Sequence, residues 1–214
     1  LYRSHWNQKE NTIHLLPHWN WEGREGEVTP VYCYTNHPTA ELFVNGQSYG
    51  KKTKDPKSRL DRYRLRWNDV VYQPGELKVV VYDEQGNKAG EKSLRTAGKP
   101  SRLQLDVWTQ HDSPVLCSDG DDLAFVTVSL TDAAGTLIPA ASDQITVEVS
   151  GSGTFEAICN GDATSLESFK KPVMRLFNGQ LVVIVRSGRQ PGNLRLKVTD
   201  RQRGITQVKN IKTM

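Results

Sequence analysis

Long apolar runs are missing from this sequence. None approaches the roughly 18 residues that a membrane-crossing helix needs, so no helical membrane span is expected. The opening Leu1-Tyr2-Arg3-Ser4-His5-Trp6 has no apolar stretch behind a basic start and does not read as a secretory signal. It lacks an initiator Met, and the expectation is a piece cut from a longer polypeptide. Cysteine is scarce as well. Cys33, Cys117 and Cys159 cannot all pair within the chain, and no two have C-x-x-C spacing, so neither structural zinc nor a thioredoxin-like motif is supported. Cys117 and Cys159 fall in the same half and form the one candidate disulfide. The preferred reading makes all three small, partly buried side chains.

Charge of one sign is in only slight excess, with a net charge of +4. Much of it falls between Lys51 and Arg66, where eight basic residues face only Asp55 and Asp61. Clustered Lys and Arg can release counterions from phosphate, but no nucleic-acid recognition motif accompanies them. The alternative is a solvated strand edge, where such residues discourage edge-to-edge pairing. No nucleic-acid partner and no membrane partner is expected. Hydrophobic residues make up 36% and charged residues 24%, which is a folding composition rather than a disordered one. The 214 residues suit two domains of about 100 residues each.

Helical periodicity is also nearly absent. Residues 1–8 are the one candidate, and eight residues are too few to be stable alone. What the chain does contain is period-two apolar alternation between closely spaced Gly and Pro. Strands are predicted over residues 28–34, 41–44, 63–67, 77–82 and 91–95. Asn45-Gly46 between the second and a following strand suits a tight hairpin, because both residues tolerate positive φ. Thr96-Ala97-Gly98-Lys99-Pro100 reads as a linker. The pattern then restarts over 102–108, 123–130, 145–149, 181–185 and 194–198. Six or seven short strands per half, with turns every 8–12 residues, indicate an all-β chain of two tandem immunoglobulin-like β-sandwich domains.

Several motifs carry a family resemblance. His14-Leu15-Leu16-Pro17-His18-Trp19-Asn20-Trp21, followed by Gly23-Arg24-Glu25-Gly26-Glu27, resembles the segment leaving the catalytic barrel in Bacteroides-type family 2 glycoside hydrolases. Tyr34-Thr35-Asn36, Glu41-Leu42-Phe43-Val44-Asn45-Gly46 and Pro74-Gly75-Glu76-Leu77 resemble the fourth domain of those enzymes. Asp119-Gly120-Asp121-Asp122-Leu123-Ala124-Phe125-Val126, Asn160-Gly161-Asp162-Ala163-Thr164-Ser165 and Phe177-Asn178-Gly179 resemble the fifth. The resemblance implies that residues 1–12 are the remnant of a barrel helix and linker, 13–98 the fourth domain and 99–214 the fifth. It further implies a periplasmic or extracellular β-galactosidase parent whose two catalytic glutamates lie on a barrel absent from this chain.

Catalytic and metal readings of the residues themselves are weak. Glycoside hydrolysis by retention needs two carboxylates about 5 Å apart, and the densest candidates, Asp119, Asp121 and Asp122, have no second motif to pair with. Turn chemistry explains them better than calcium, since their spacing is not that of an EF-hand. No Gly-x-Ser-x-Gly elbow accompanies His5, His14, His18, His37 or His111. Pro17 breaks any helix that would align His14 with His18 as metal ligands. No catalytic residue, metal or cofactor is therefore assigned.

Aromatics are the remaining candidates. Trp6, Trp19 and Trp21 form a set for carbohydrate contact or for an interface with the barrel. The competing reading has Trp19 and Trp21 plugging the end of a sandwich. Trp67 and Trp108 lie in alternating strands and are expected in the core. Three functions compete: a structural accessory region whose partner is the catalytic barrel of the same chain, a carbohydrate-binding module, and an immunoglobulin-like adhesin fragment. The last should show near-repeated domains, and no obvious repeat joins the two halves.

Overall fold

The computed structural model describes residues 1–110 and 114–214. The chain divides into two compact units, Leu1–Thr96 and Ala97–Met214, a division within the predicted linker.

The first unit opens with a short helix, α1 (Tyr2–Trp6). Residues 1–12 are tied to this unit: His5 meets Tyr63 edge-on, the Asn11 amide donates to the Ala89 carbonyl, and the Thr12 N–H donates to Asn36 Oδ1. The strands are β1 (Ile13–Leu16), β2 (Val31–Thr35), β3 (Thr39–Val44), β4 (Gln47–Thr53), β5 (Leu65–Trp67), β6 (Glu76–Tyr82) and β7 (Lys88–Arg95). They form a three-stranded sheet, β1-β2-β5, and a four-stranded sheet, β4-β3-β6-β7. Every pairing is antiparallel. Strand β3 leaves the sheet of β2 for the other sheet, which makes a sandwich of immunoglobulin type. Its core draws alternate residues from both sheets, including Val31, Cys33, Leu42, Leu65, Trp67 and Leu77. Asn45 and Gly46 adopt φ of 49° and 84°, and Val44 pairs with Gln47, so the expected two-residue hairpin is present. Lys51 and Lys52 fall on β4, the edge strand, where exposed cations oppose edge pairing.

The second unit contains β8 (Arg102–Thr109), β9 (Val115–Leu116), β10 (Leu123–Thr131), β11 (Gln144–Gly151), β12 (Gly153–Cys159), β13 (Val173–Arg175), β14 (Gln180–Ser187), β15 (Gly192–Asp200) and β16 (Ile205–Thr213). Among the described residues they form two sheets, β12-β14-β10-β8 and β13-β11-β15-β16-β9. The short β9 runs parallel to the end of β16, and the other pairings are antiparallel. Leu105, Val126, Val128, Val183, Leu196 and Val198 lie in the core between the sheets.

Two expectations are corrected. Trp67 is buried as expected, but Trp108 is 61% exposed. Leu103 and Leu105 point into the core, so period two sends Arg102, Gln104, Asp106 and Trp108 to the opposite face. The second concerns cysteine. None of the three forms a disulfide; Cys33 is buried and Cys159 half-buried, but Cys117 is exposed rather than partly buried. Burial pushes the Cys33 thiol up to about 12, which makes it inert near neutrality.

Candidate functional site

The three tryptophans proposed as a set do not present one surface. Trp19 is 0% exposed. Its indole N–H donates to the Gln73 carbonyl at 3.0 Å, and its ring meets Tyr72 edge-on at 5.0 Å. It is a core residue with no face left for a ligand. Trp21 is half-buried, stacked on His18 at 4.3 Å with the Arg24 guanidinium 5.1 Å from its ring centre. Burial lowers the pKa of His18, which favours the neutral ring in this stack. Trp6 lies at the end of α1, 73% exposed and tilted against Tyr2. The stretch from His14 to Trp21 therefore forms β1 and part of this unit's own core, with Leu15 buried beside Trp19.

The aspartate loop is a turn. Asp119 Oδ1 accepts the backbone N–H groups of Asp121 and Asp122, both at 2.8 Å, and these bonds hold its carboxyl below the usual range. Asp122 accepts the Cys117 and Leu123 N–H groups, while Asp121 pairs with Arg186 at 2.9 Å. Carboxylates engaged in this way are not a ready cation cage. Among the described residues, no group of three or more His, Cys, Asp and Glu could hold a metal ion. His111 lies outside the described residues.

A general acid in glycoside hydrolysis needs a carboxyl raised toward neutrality. Glu156 goes the other way: Lys170 at 2.6 Å and Arg186 at 3.0 Å push it down to about 2. Asp61 is lowered as well, chiefly by its hydrogen bonds to Arg66. That pair lines an open cleft of about 250 Å³ with Lys52, Asp55, Arg64 and Asn68, so part of the basic cluster is neutralised internally.

The surface that sequence reasoning missed is the outer face of the β12-β14-β10-β8 sheet. Trp108 pairs with Phe125, Phe125 with Ile184, and Ile184 with Ala157, giving one row across four strands. The Trp108 and Phe125 rings lie 5.3 Å apart at 56°. In the next row Asp106 pairs with Thr127, and the Gln104 amide donates to Asp106 Oδ2 at 2.8 Å. The signal was available: the phase of alternation in 102–108 places Trp108 opposite Leu103 and Leu105.

Fold and surfaces together define a class, that of two immunoglobulin-like β-sandwich modules, with an aromatic sheet face in the second. Comparison with known proteins gives the family. Residues 108–209 match glycoside hydrolase family 2 C-terminal domain 5, and residues 26–90 match a domain of unknown function, DUF4982. The chain is 38% identical over 200 residues to Beta-galactosidase BoGH2A of Bacteroides ovatus, covering 93% of this chain and 22% of that protein. It is 31% identical to a putative beta-glucuronidase of Formosa agariphila, over 89% of this chain and 18% of that protein. Among solved structures, a beta-glycosidase from Bacteroides vulgatus matches with a TM-score of 0.86 and 28% identity, covering 99% of this chain and 26% of that one. A family 2 member from Bacteroides cellulosilyticus matches with a TM-score of 0.88 and 26% identity, covering 99% and 29%. The chain belongs to the C-terminal domains of Bacteroides-type family 2 glycoside hydrolases, and it spans about a fifth of the length of these curated relatives.

Proposed function

We propose that this chain is the non-catalytic C-terminal accessory region of a family 2 glycoside hydrolase, a retaining β-galactosidase acting in carbohydrate degradation in the periplasm or outside the cell. Its role is to support the catalytic barrel of the same polypeptide. One observation carries this reading: the 38% identity to a β-galactosidase runs along 93% of this chain yet takes up only 22% of the relative. The lowered Glu156 and Asp61 and the backbone-bound Asp119 support the non-catalytic part, because none has the raised pKa of a general acid.

A chromogenic β-galactoside tests the proposal in two arms. The 214-residue chain should release no chromophore above background, while a polypeptide extended upstream to include the barrel should turn it over. Turnover by purified 214-residue chain would overturn the non-catalytic reading. An extended polypeptide that cleaved glucuronides and left galactosides intact would overturn the β-galactosidase assignment.

A second reading, carbohydrate binding, is favoured by the exposed Trp108. The adhesin reading gains no support, since among the described residues the two units differ in strand number and sheet order and are not near-repeats.

A further inference from the structure

Sheet faces that look outward from a sandwich are ordinarily polar, because only the inner face has a core to fill. The outer face of β12-β14-β10-β8 departs from this. Trp108, Phe125, Ile184 and Ala157 stand side by side across all four strands, a row about 14 Å long at the usual interstrand spacing. Trp108, on the edge strand β8, is 61% exposed, whereas Phe125 and Ile184 are half-buried. Phe125, 5.3 Å away and tilted by 56°, braces the indole from one side. An indole fixed in this way against a flat sheet offers a rigid apolar face at little entropic cost.

The neighbours of the row indicate its ligand. One step along the strands, Asp106 and Thr127 pair directly, placing a carboxylate and a hydroxyl beside the indole. Gln104 holds Asp106 Oδ2 at 2.8 Å, which orients the carboxylate and leaves Oδ1 as an acceptor. Asp106 is exposed, and no cation is recorded against it among the described residues. The centre of a protein–protein interface is depleted of charge, and covering this row with protein would desolvate Asp106 without a cation. A pyranose meets the same arrangement without that cost. Its C–H face lies on the indole, and its hydroxyls donate charge-assisted hydrogen bonds to the carboxylate.

Charge narrows the sugar further. On the other side of the row Arg186 is engaged by Glu156 at 3.0 Å and Asp121 at 2.9 Å. It has little positive potential left for a uronate carboxylate, and Asp106 would repel one. We propose that this face is a carbohydrate-binding surface, with Trp108 stacked on a pyranose ring, Asp106 and Thr127 bonded to its hydroxyls, and neutral galactoside-type oligosaccharides preferred over uronic acids. The choice of galactosides rests on the function proposed above; the preference for neutral sugars rests on the charges alone.

Titration calorimetry of the 214-residue chain with β-1,4-galactobiose, β-1,4-galactotetraose and methyl β-glucuronide tests this directly. The galactosides should bind with a Kd of about a millimolar or tighter, the tetraose more tightly than the biose, and the glucuronide at least about tenfold more weakly. Trp108→Ala should weaken tetraose binding at least about tenfold, with circular dichroism and melting temperature unchanged. Asp106→Asn should weaken galactoside binding and narrow the margin over the glucuronide, while Trp6→Ala should leave binding as it is. No heat with any galactoside, or tetraose binding indifferent to Trp108→Ala, would overturn the proposal. Trp108 buried against another domain in the barrel-containing enzyme would overturn it too, in favour of a protein interface. Failure here leaves the chromogenic assay untouched, so the two proposals fall separately.

Discussion

The amide group of Asn45 occupies the space that a Cβ on Gly75 would fill. Asn45 is the first residue of the β3–β4 hairpin, with φ of 49°, and Gly75 precedes β6 with φ of 132°. Between them Asn45 Nδ2 donates to the Pro74 carbonyl at 3.1 Å, and Asn45 Oδ1 accepts the Glu76 N–H at 2.8 Å. The Asn45 N–H completes the clasp by donating to the Glu76 carbonyl at 2.9 Å. A tight turn on one strand is thereby locked to the start of its neighbour, which sets the register of β3 against β6.

Gly75→Ala should break this clasp. The methyl group displaces the Asn45 amide, and the φ of 132° is one that alanine avoids. Loss of two hydrogen bonds plus backbone strain should destabilise the first unit by about 2–4 kcal/mol. Asn45→Ala should cost about as much, about 2–4 kcal/mol, because it loses the same two hydrogen bonds and holds alanine at φ of 49°. Urea unfolding followed by circular dichroism checks both. If Gly75→Ala matched the wild type, the clasp would have no role in stability.

Trp19 and Trp6 provide a contrast between buried and exposed indoles in one unit. Trp19→Ala removes a fully buried ring and leaves the Gln73 carbonyl without its donor, so a loss of about 3–5 kcal/mol is expected. Trp6→Ala, at a site 73% exposed, should stay within about 0.5 kcal/mol of wild type. Equal effects from the two substitutions in denaturant titrations would contradict this placement.

Residues that are legible in the sequence lie in alternating or continuously apolar, β-branched runs. Leu123–Leu130 shows its inner face by alternation, Leu77–Tyr82 and Leu181–Val185 read as strands from their Val and Ile content, and Asn45-Gly46 shows its turn. Strand β12 was hidden because a bulge between Phe155 and Ala157 breaks the alternation midway. Strand β16 was hidden by its polarity: β9 covers only its last two residues on one side, and the stretch from Thr206 to Asn210 has no buried residue. In β1 a single buried residue, Leu15, gives too short a signal to read. The aromatic face was missed for a different reason. Hydrophobicity alone assigned Trp108 to the core, whereas its phase relative to Leu103 and Leu105 assigns it outward.

Glu156 gives the second unit a defined response to acid. Hydrogen bonds from Lys170 and Arg186, reinforced by their charges, hold it at about 2, below its ordinary 4.5. A carboxylate whose folded pKa is depressed contributes stability above its unfolded pKa, and that contribution disappears as pH falls through the folded value. For Glu156 the contribution is complete above about 4.5 and is lost progressively down to about 2. Glu156→Gln removes the titrating group while keeping its shape. The variant should lie below wild type in unfolding midpoint at neutral pH, and the two curves should converge as pH approaches 2. Parallel curves for wild type and Glu156→Gln between pH 5 and pH 2 would show that the bonds to Lys170 and Arg186 do not couple this carboxylate to folding.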